Sequence, residues 1–197
     1  MTPRWPKAVL PSLLLAMAQF AFAVTKVVDD GSDTAICPVG SYTLRCAINY
    51  ANANPFTNIR FAPGLPAVLL NGSLPTITGN GTWIDGHDIG NGCVCPRIDG
   101  AFWSDSPGDA ITINANDVTI SNLSIVRIPS GADANTADIH VIGGKDIAIA
   151  FDYLGILPGA TQCAGNDAQA GVSITDDRGG APGVYNGVAY VYGSTSG

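Results

Sequence analysis

The chain has 197 residues, with 16 acidic and 9 basic side chains, and all the acidic ones are aspartates. A formal net charge of −7 leaves no basic footprint for nucleic acid. It also disfavours an acidic polysaccharide as substrate unless calcium bridges the like charges. With 46% hydrophobic and 13% charged residues, the sequence has the apolar content for one domain with a sizeable core rather than a disordered chain.

Residues 1–23 do not belong to that core. Arg4 and Lys7 precede an apolar run from Ala8 to Phe20, and Ala21-Phe22-Ala23 has the small-x-small form of a signal-peptidase site. The run is too short to span a bilayer comfortably, so an export signal is expected, cut after Ala23, with no membrane span left afterwards. Residues 24–58 read as an N-terminal cap region and 59–197 as stacked coils. The cap holds the one helical pattern, in Tyr42 to Asn54. Leu44, Ala47, Ile48 and Ala51 form an apolar stripe at helical spacing, Thr43 can cap its start and Asn54-Pro55 stops it.

Short runs rich in Ile, Val and Thr follow, bounded by Gly, Asn, Asp or Pro. They are Ile59–Phe61, Val68–Leu70, Thr76–Thr78, Thr82–Asp85, Arg97–Asp99, Ala110–Ile113, Val118–Ile120, Leu123–Ile128, Ile139–Ile142, Ile147–Phe151, Leu154–Ile156, Val172–Thr175 and Val188–Tyr192. An internal repeat decides how they stack. "AITINANDVTISNLSI" (110–125) is echoed by "HVIGGKDIAIAFDYLGI" (140–156), pairing Ile113 with Ile142, Asp117 with Asp146, Val118 with Ile147 and Ile120 with Ile149 at one offset. That length suits one coil of a single-stranded parallel β-helix, in which each coil needs its neighbours to bury an inner face. Ile111 or Ile113, Val118, Ile120, Leu123 and Ile125 would point inward. Val141, Ile147, Ile149, Leu154 and Ile156 would do so in the next coil. Asn114 and Asn122 are expected to serve turn backbone groups. An open solenoid end exposes core and unpaired backbone, so the helix stripe is expected to lie over Ile59–Phe61 and Val68–Leu70. No second cap pattern is visible, so further coils or another subunit are expected to cover the C-terminal end.

The segment "VTKVVDDGSDTAICPVGSYTLRCAINYANANPFTNIRFAPG" resembles the N-terminal part of CSLREA-type secreted β-helix proteins. Thr43-Leu44-Arg45, Ala47-Ile48, Ala51-Asn52 and Ile59-Arg60-Phe61 carry the likeness, and "LPTITGNGTWIDG", "CPRIDG", "DAITINANDVTISNLSI" and "FDYLGILPG" continue it in order. The resemblance implies an all-β, right-handed, pectate-lyase-like parallel β-helix with a short capping helix. It assigns Leu44, Arg45, Ala47, Ile48 and Ala51 to the cap. Two departures matter: Cys46 replaces the acidic residue after Leu-Arg, and the family's cysteine is displaced upstream to Cys37. A Cys37–Cys46 disulfide is the expectation that follows. The other three cysteines, Cys93, Cys95 and Cys163, stay open as to pairing. An odd count in an exported chain leaves at least one thiol over.

Catalysis on such a solenoid needs convergent carboxylates or a base beside them. The most suggestive group is "IDGHDIG", with Asp85, His87 and Asp88, although Asp-Gly after a strand is also ordinary turn chemistry. Asp176 and Asp177 in "TDDRGG" are weak calcium candidates, and no other cofactor is expected. Asp117 and Asp146 recur as turn formers. Trp83, Phe102, Trp103, Tyr153, Tyr185, Tyr190 and Tyr192 are the aromatics available for sugar stacking. The expected function is a non-enzymatic, exported stalk or adhesion scaffold meeting carbohydrate or a cell-surface ligand. The alternatives are a polysaccharide lyase or glycoside hydrolase, or a filament subunit.

Overall fold

The computed structural model describes residues 23–37, 39–87, 95–130, 136–155, 170–175 and 191–192. Residues 1–22 of the expected signal segment 1–23 lie outside them, as do Asp88, Asp176, Asp177, Cys93 and Cys163. In chain order the elements are β1 (Val24–Val28), α1 (Leu44–Ala53), β2 (Thr57–Phe61), β3 (Val68–Leu69), β4 (Trp83–Asp85), β5 (Arg97–Asp99) and β6 (Ile111–Asn114). Then come β7 (Thr119–Ser121), β8 (Ser124–Val126), β9 (Ala137–Gly143), β10 (Ala148–Ala150), β11 (Tyr153–Leu154), β12 (Ala170–Ile174) and β13 (Val191–Tyr192).

All strand pairs are parallel, and they form three ribbons that run along a solenoid of about four turns. The first ribbon stacks β1, β2, β4, β7, β10 and β13; the second stacks β3, β5, β8 and β11; the third stacks β6, β9 and β12. The second, third and fourth coils each contribute one strand to each ribbon in turn, as in a parallel β-helix, and the first coil joins the third ribbon through an isolated Ile77–Ile113 bridge. The inward columns are apolar and in register. Ile59, Ile84, Ile120 and Ile149 form one, and Val68, Ile98, Ile125 and Leu154 another. Ile77, Ile113, Val141 and Ile174 form a third. Fully buried isoleucines such as Ile59, Ile84 and Ile120 each contribute on the order of 1.5–3 kcal/mol of transfer free energy. That gain is available only because the next coil covers the side chain.

The repeat is less regular than a single offset. Ile120 pairs with Ile149, but Ile113 pairs with Val141 and not with Ile142. A bulge after Ile113 then sets Asn114 against Gly143, and Ile142 is the extra residue. The bulge absorbs one position and restores the longer offset before the turn. A second difference is β1. Its residues fall in the expected cap region, where no strand is expected, yet Val24 to Val28 pair with Thr57 to Phe61. The alternating β-branched residues of "VTKVV" are the strand signal.

Helix α1 covers the first coil. Thr43, in extended backbone, accepts the Cys46 N–H at 3.1 Å through its hydroxyl and so caps the helix start. Leu44, Ala47, Ile48 and Ala51 are buried in one cluster with Ile59, Phe61, Val68 and Leu70. Asn54 closes the helix by donating to Tyr50 and Ala51 carbonyls. Cys37 and Cys46 form a disulfide that ties the lead-in to the helix.

The turn ahead of the first ribbon repeats one conformation per coil. Phe56, Gly81, Asp117 and Asp146 all have left-handed φ, at 62°, 69°, 58° and 57°. The amides of Phe56, Gly81 and Asp117 donate to the carbonyls of Asn80, Asn116 and Lys145, one coil further on. Asn80 and Asn116 add side-chain rungs, their Oδ1 atoms accepting the amides of Asn116 and Lys145 at 2.9 and 3.1 Å. Backbone service in the turns thus falls to Asn80, Asn116 and Asn52. Asn122, expected in that role, gives its Nδ2 to the Asp85 carboxylate at 2.9 Å.

Candidate functional site

The outer face of the first ribbon brings Arg60, Asp85 and Ser121 into one column, because Arg60 registers with Asp85 and Asp85 with Ser121. Asp85 ends β4 and is buried despite facing outward. Its Oδ1 accepts the His87 amide at 2.9 Å, the Asn122 Nδ2 at 2.9 Å and the Ser121 hydroxyl at 3.4 Å. Its Oδ2 faces Arg60 at 3.2 Å. The bond to the His87 amide is an Asx-turn, the turn chemistry of an Asp-Gly pair. Four donors on one carboxylate leave it little capacity to take a proton or hold a metal. His87 reaches Asp85 through its backbone, and Asp88 lies outside the described residues. Trp83 flanks the column. Its indole N–H donates to Ser121 at 3.3 Å, and the Arg60 guanidinium lies 5.4 Å from its ring centre.

Asp152 stands near Asp85 with the opposite electrostatics. It follows β10 in the fourth coil, and its Oδ1 accepts the Leu123 amide at 2.8 Å. Its Oδ2 is buried without a hydrogen-bond partner. Burial first, with the charge of Asp85 adding to it, outweighs the Leu123 and Ala150 amides and pushes the carboxyl up to about 7. A carboxyl poised there can give or take a proton near neutrality. The sequence carries one sign of it: the repeat places Asp152 opposite apolar Leu123, a polar residue in a core row.

Two further buried carboxylates are saturated. Asp99 accepts both Nε and Nη2 of Arg127, the Nε at 2.8 Å, and Arg97 lies 3.2 Å away. Burial opposes its ionisation. The Arg127 and Ala101 hydrogen bonds and the two guanidinium charges prevail, so the carboxyl is held below its usual range. Asp33 takes two 2.7 Å bonds from Arg45 and the Asn71 amide at 2.9 Å. Arg45 also reaches the Gly72 carbonyl at 3.4 Å. The Leu44-Arg45 pair therefore does two jobs: one side chain enters the core and the other ties the helix to the first coil. Asn52 continues this, donating to Thr76 and accepting from Thr78 and Gly79.

Among the described residues, no group of three or more His, Cys, Asp or Glu side chains is arranged to hold a metal ion. The aromatic candidates divide. Phe102 is exposed, whereas Trp103 packs on the core and donates its indole N–H to Ser106 at 3.1 Å. Trp83 is partly exposed beside the Asp85 column. Cys95 is buried. No helix among the described residues is long and apolar enough to cross a membrane. No protein-family model matches this chain, and comparison with curated proteins returns no relative.

Proposed function

We propose that the chain is an exported β-helix segment of a cell-surface or extracellular protein, of the CSLREA-type, pectate-lyase-like kind, working as a stalk or adhesion scaffold. The observation that supports it is the use made of buried charge. Asp33, Asp85 and Asp99 are each spent on donors from a neighbouring coil or from the cap. Such pairing stiffens a stack of coils and leaves these three carboxylates little acid–base capacity. The Cys37–Cys46 disulfide suits an oxidising compartment, as does the apolar leader. Carbohydrate or another surface ligand is the expected partner, with Trp83 and Phe102 as exposed aromatic faces.

The second reading is a polysaccharide lyase or glycoside hydrolase, favoured by one feature, the half-partnered Asp152 beside Asp85. One assay separates them: release of reducing ends or unsaturated products from pectin and related glycans by the purified, exported chain. No turnover is expected, and Asp85→Ala and Asp152→Asn should differ from the wild type only in stability. Turnover lost in either variant would replace the scaffold reading with the enzymatic one. Export itself is checked by N-terminal sequencing of the secreted product, which should begin at Val24.

A further inference from the structure

The outer face of the third ribbon holds an arrangement that stacking does not require. Asp109 lies just ahead of β6, His140 is on β9, and Thr175 directly follows β12, so the three come from successive coils. Asp109 Oδ2 is 2.6 Å from His140 Nδ1, and His140 Nε2 is 2.7 Å from the Thr175 hydroxyl. Asp109 Oδ1 accepts the Ala137 amide at 2.8 Å, which fixes the carboxylate at the base of β9. A carboxylate only accepts, so Nδ1 carries the ring proton, and in the neutral ring the Nε2 lone pair faces the threonine hydroxyl. The hydroxyl then donates to Nε2. Asp109 and His140 are largely covered, while Thr175 is exposed. This is the order of groups by which an imidazole activates a hydroxyl nucleophile and a carboxylate holds the tautomer.

A groove opens along the preceding coils. It has a volume of about 580 Å³ and is lined by residues that include Asn80, Asn114, Asn116, Ile142, Gly143 and Lys145. Ile174 registers with Val141, and the Thr175 amide donates to the Val141 carbonyl, so Thr175 follows in register beside Ile142, which lines the groove. The bulge that displaced Ile142 from the repeat is in the same place, and bulges commonly re-aim side chains next to active sites. Gly143 leaves room for the Asn114 side chain in that wall, since a Cβ there would sit 2.5 Å from Asn114 Oδ1. The size suits a small molecule, and amide and lysine side chains suit a polar one.

We propose that Thr175, His140 and Asp109 form an acyl-transfer site, and that the groove takes a short-chain acyl ester of a polar alcohol. Thr175 Oγ1 attacks the ester carbonyl carbon while its proton passes to His140 Nε2, and the carbonyl electron pair moves to oxygen. Collapse breaks the bond to the alcohol, which leaves with the proton from Nε2. Water, deprotonated by His140, then cleaves the acyl-threonine, releasing the acid and restoring the hydroxyl. Thr175 and His140 are the catalytic residues, and Asp109 is the positioning residue. The site uses neither Asp85 nor Asp152, so its failure would leave the scaffold reading standing.

The test is reaction of the purified chain with p-nitrophenyl acetate, acid-quenched before steady state and mapped by peptide mass spectrometry. An acetyl group on Thr175 is expected in the wild type and in Thr175→Ser. It should be absent in Thr175→Val and His140→Asn, with p-nitrophenol release lowered about a hundredfold or more in both. Thr175 is exposed, so Thr175→Val should keep the wild-type unfolding midpoint. Acetylation confined to lysines or other residues would overturn the proposal. So would the absence of any acetyl-threonine in the wild type, or release unchanged in Thr175→Val. A purely structural hydrogen-bond chain produces no acetyl-threonine.

Discussion

The capped end and the fourth coil handle buried polar groups in opposite ways. At the cap, Asp33 is enclosed and fully partnered by Arg45 and the Asn71 amide, and a disulfide closes the adjoining loop. In the fourth coil, Asp152 is half-buried with its covered oxygen unpartnered, and its neighbour Phe151 sits in left-handed backbone at φ 61°. The third coil has Asn122 at φ 59° in the corresponding turn, a residue that tolerates that conformation better. Burial of a carboxylate is therefore not the decisive variable. Partnering is, because desolvation acts on both groups and Asp152 has amide donors but no counter-charge to offset it.

Turning the cap into a copy of the fourth coil should have the largest effect. Arg45→Ala leaves Asp33 buried with the Asn71 amide but no counter-charge, and should cost about 3–5 kcal/mol in urea unfolding. A loss below about 1 kcal/mol would mean that the pair behaves as an exposed one and would erase the contrast.

The converse change is Asp152→Asn, which keeps an acceptor for the Leu123 amide and removes the charge. In the folded chain this carboxyl titrates near 7, against an ordinary value of 3.8. Between those values the folded state holds a proton that the unfolded chain has released. Wild-type stability therefore falls as pH rises through that window, and the loss is complete above it. Asp152→Asn should match the wild type near pH 3.5 and exceed it at pH 8 by roughly 2–4 kcal/mol. Unfolding midpoints across that range are the measurement. Removing Asp85 sharpens the point: Asp85→Asn should lower the Asp152 titration midpoint, read by carboxyl NMR, because the neighbouring charge contributes to the shift.

Opening the Cys37–Cys46 disulfide by Cys37→Ser with Cys46→Ser should cost about 2–3 kcal/mol, from the entropy of the short loop it closes. An equal midpoint with and without the disulfide would show that helix packing and the Arg45 pair already hold the cap. The smallest effect is expected at Phe151→Asn, which gives the fourth-coil turn the residue type of the third. It should gain about 0.5–1 kcal/mol by relieving left-handed strain on a bulky side chain. A loss would mean that the exposed phenyl ring makes a contact that outweighs the strain.

Much of this architecture was legible from local pattern. Arg97–Asp99 was read to the residue, and the helix stripe at Leu44, Ala47, Ile48 and Ala51 is the buried one. Those features depend on spacing along the chain, which periodicity reports directly. The misread features depend on what the next coil brings. Ile113 faces Val141 because a bulge intervenes, and no count along one coil reveals a bulge. Asp85 has the residue type of a catalytic group, but Arg60, Ser121 and Asn122, from the coils on either side, occupy it. Asp152 drew no notice as a site. Its unusual state comes from what surrounds it and not from any motif.

The sequence by itself determined the solenoid: short β-branched runs, a repeat near one coil in length and a capping stripe. These follow from apolar periodicity and turn chemistry, which act over a few residues. Tertiary structure alone decided which carboxylates are spent and which are poised. It also decided that Asp109, His140 and Thr175, separated by a coil each, meet at hydrogen-bond distance. The reason is geometric. In a parallel stack the outward neighbours of a side chain come from the coils above and below, and register across coils carries no trace in the spacing within one.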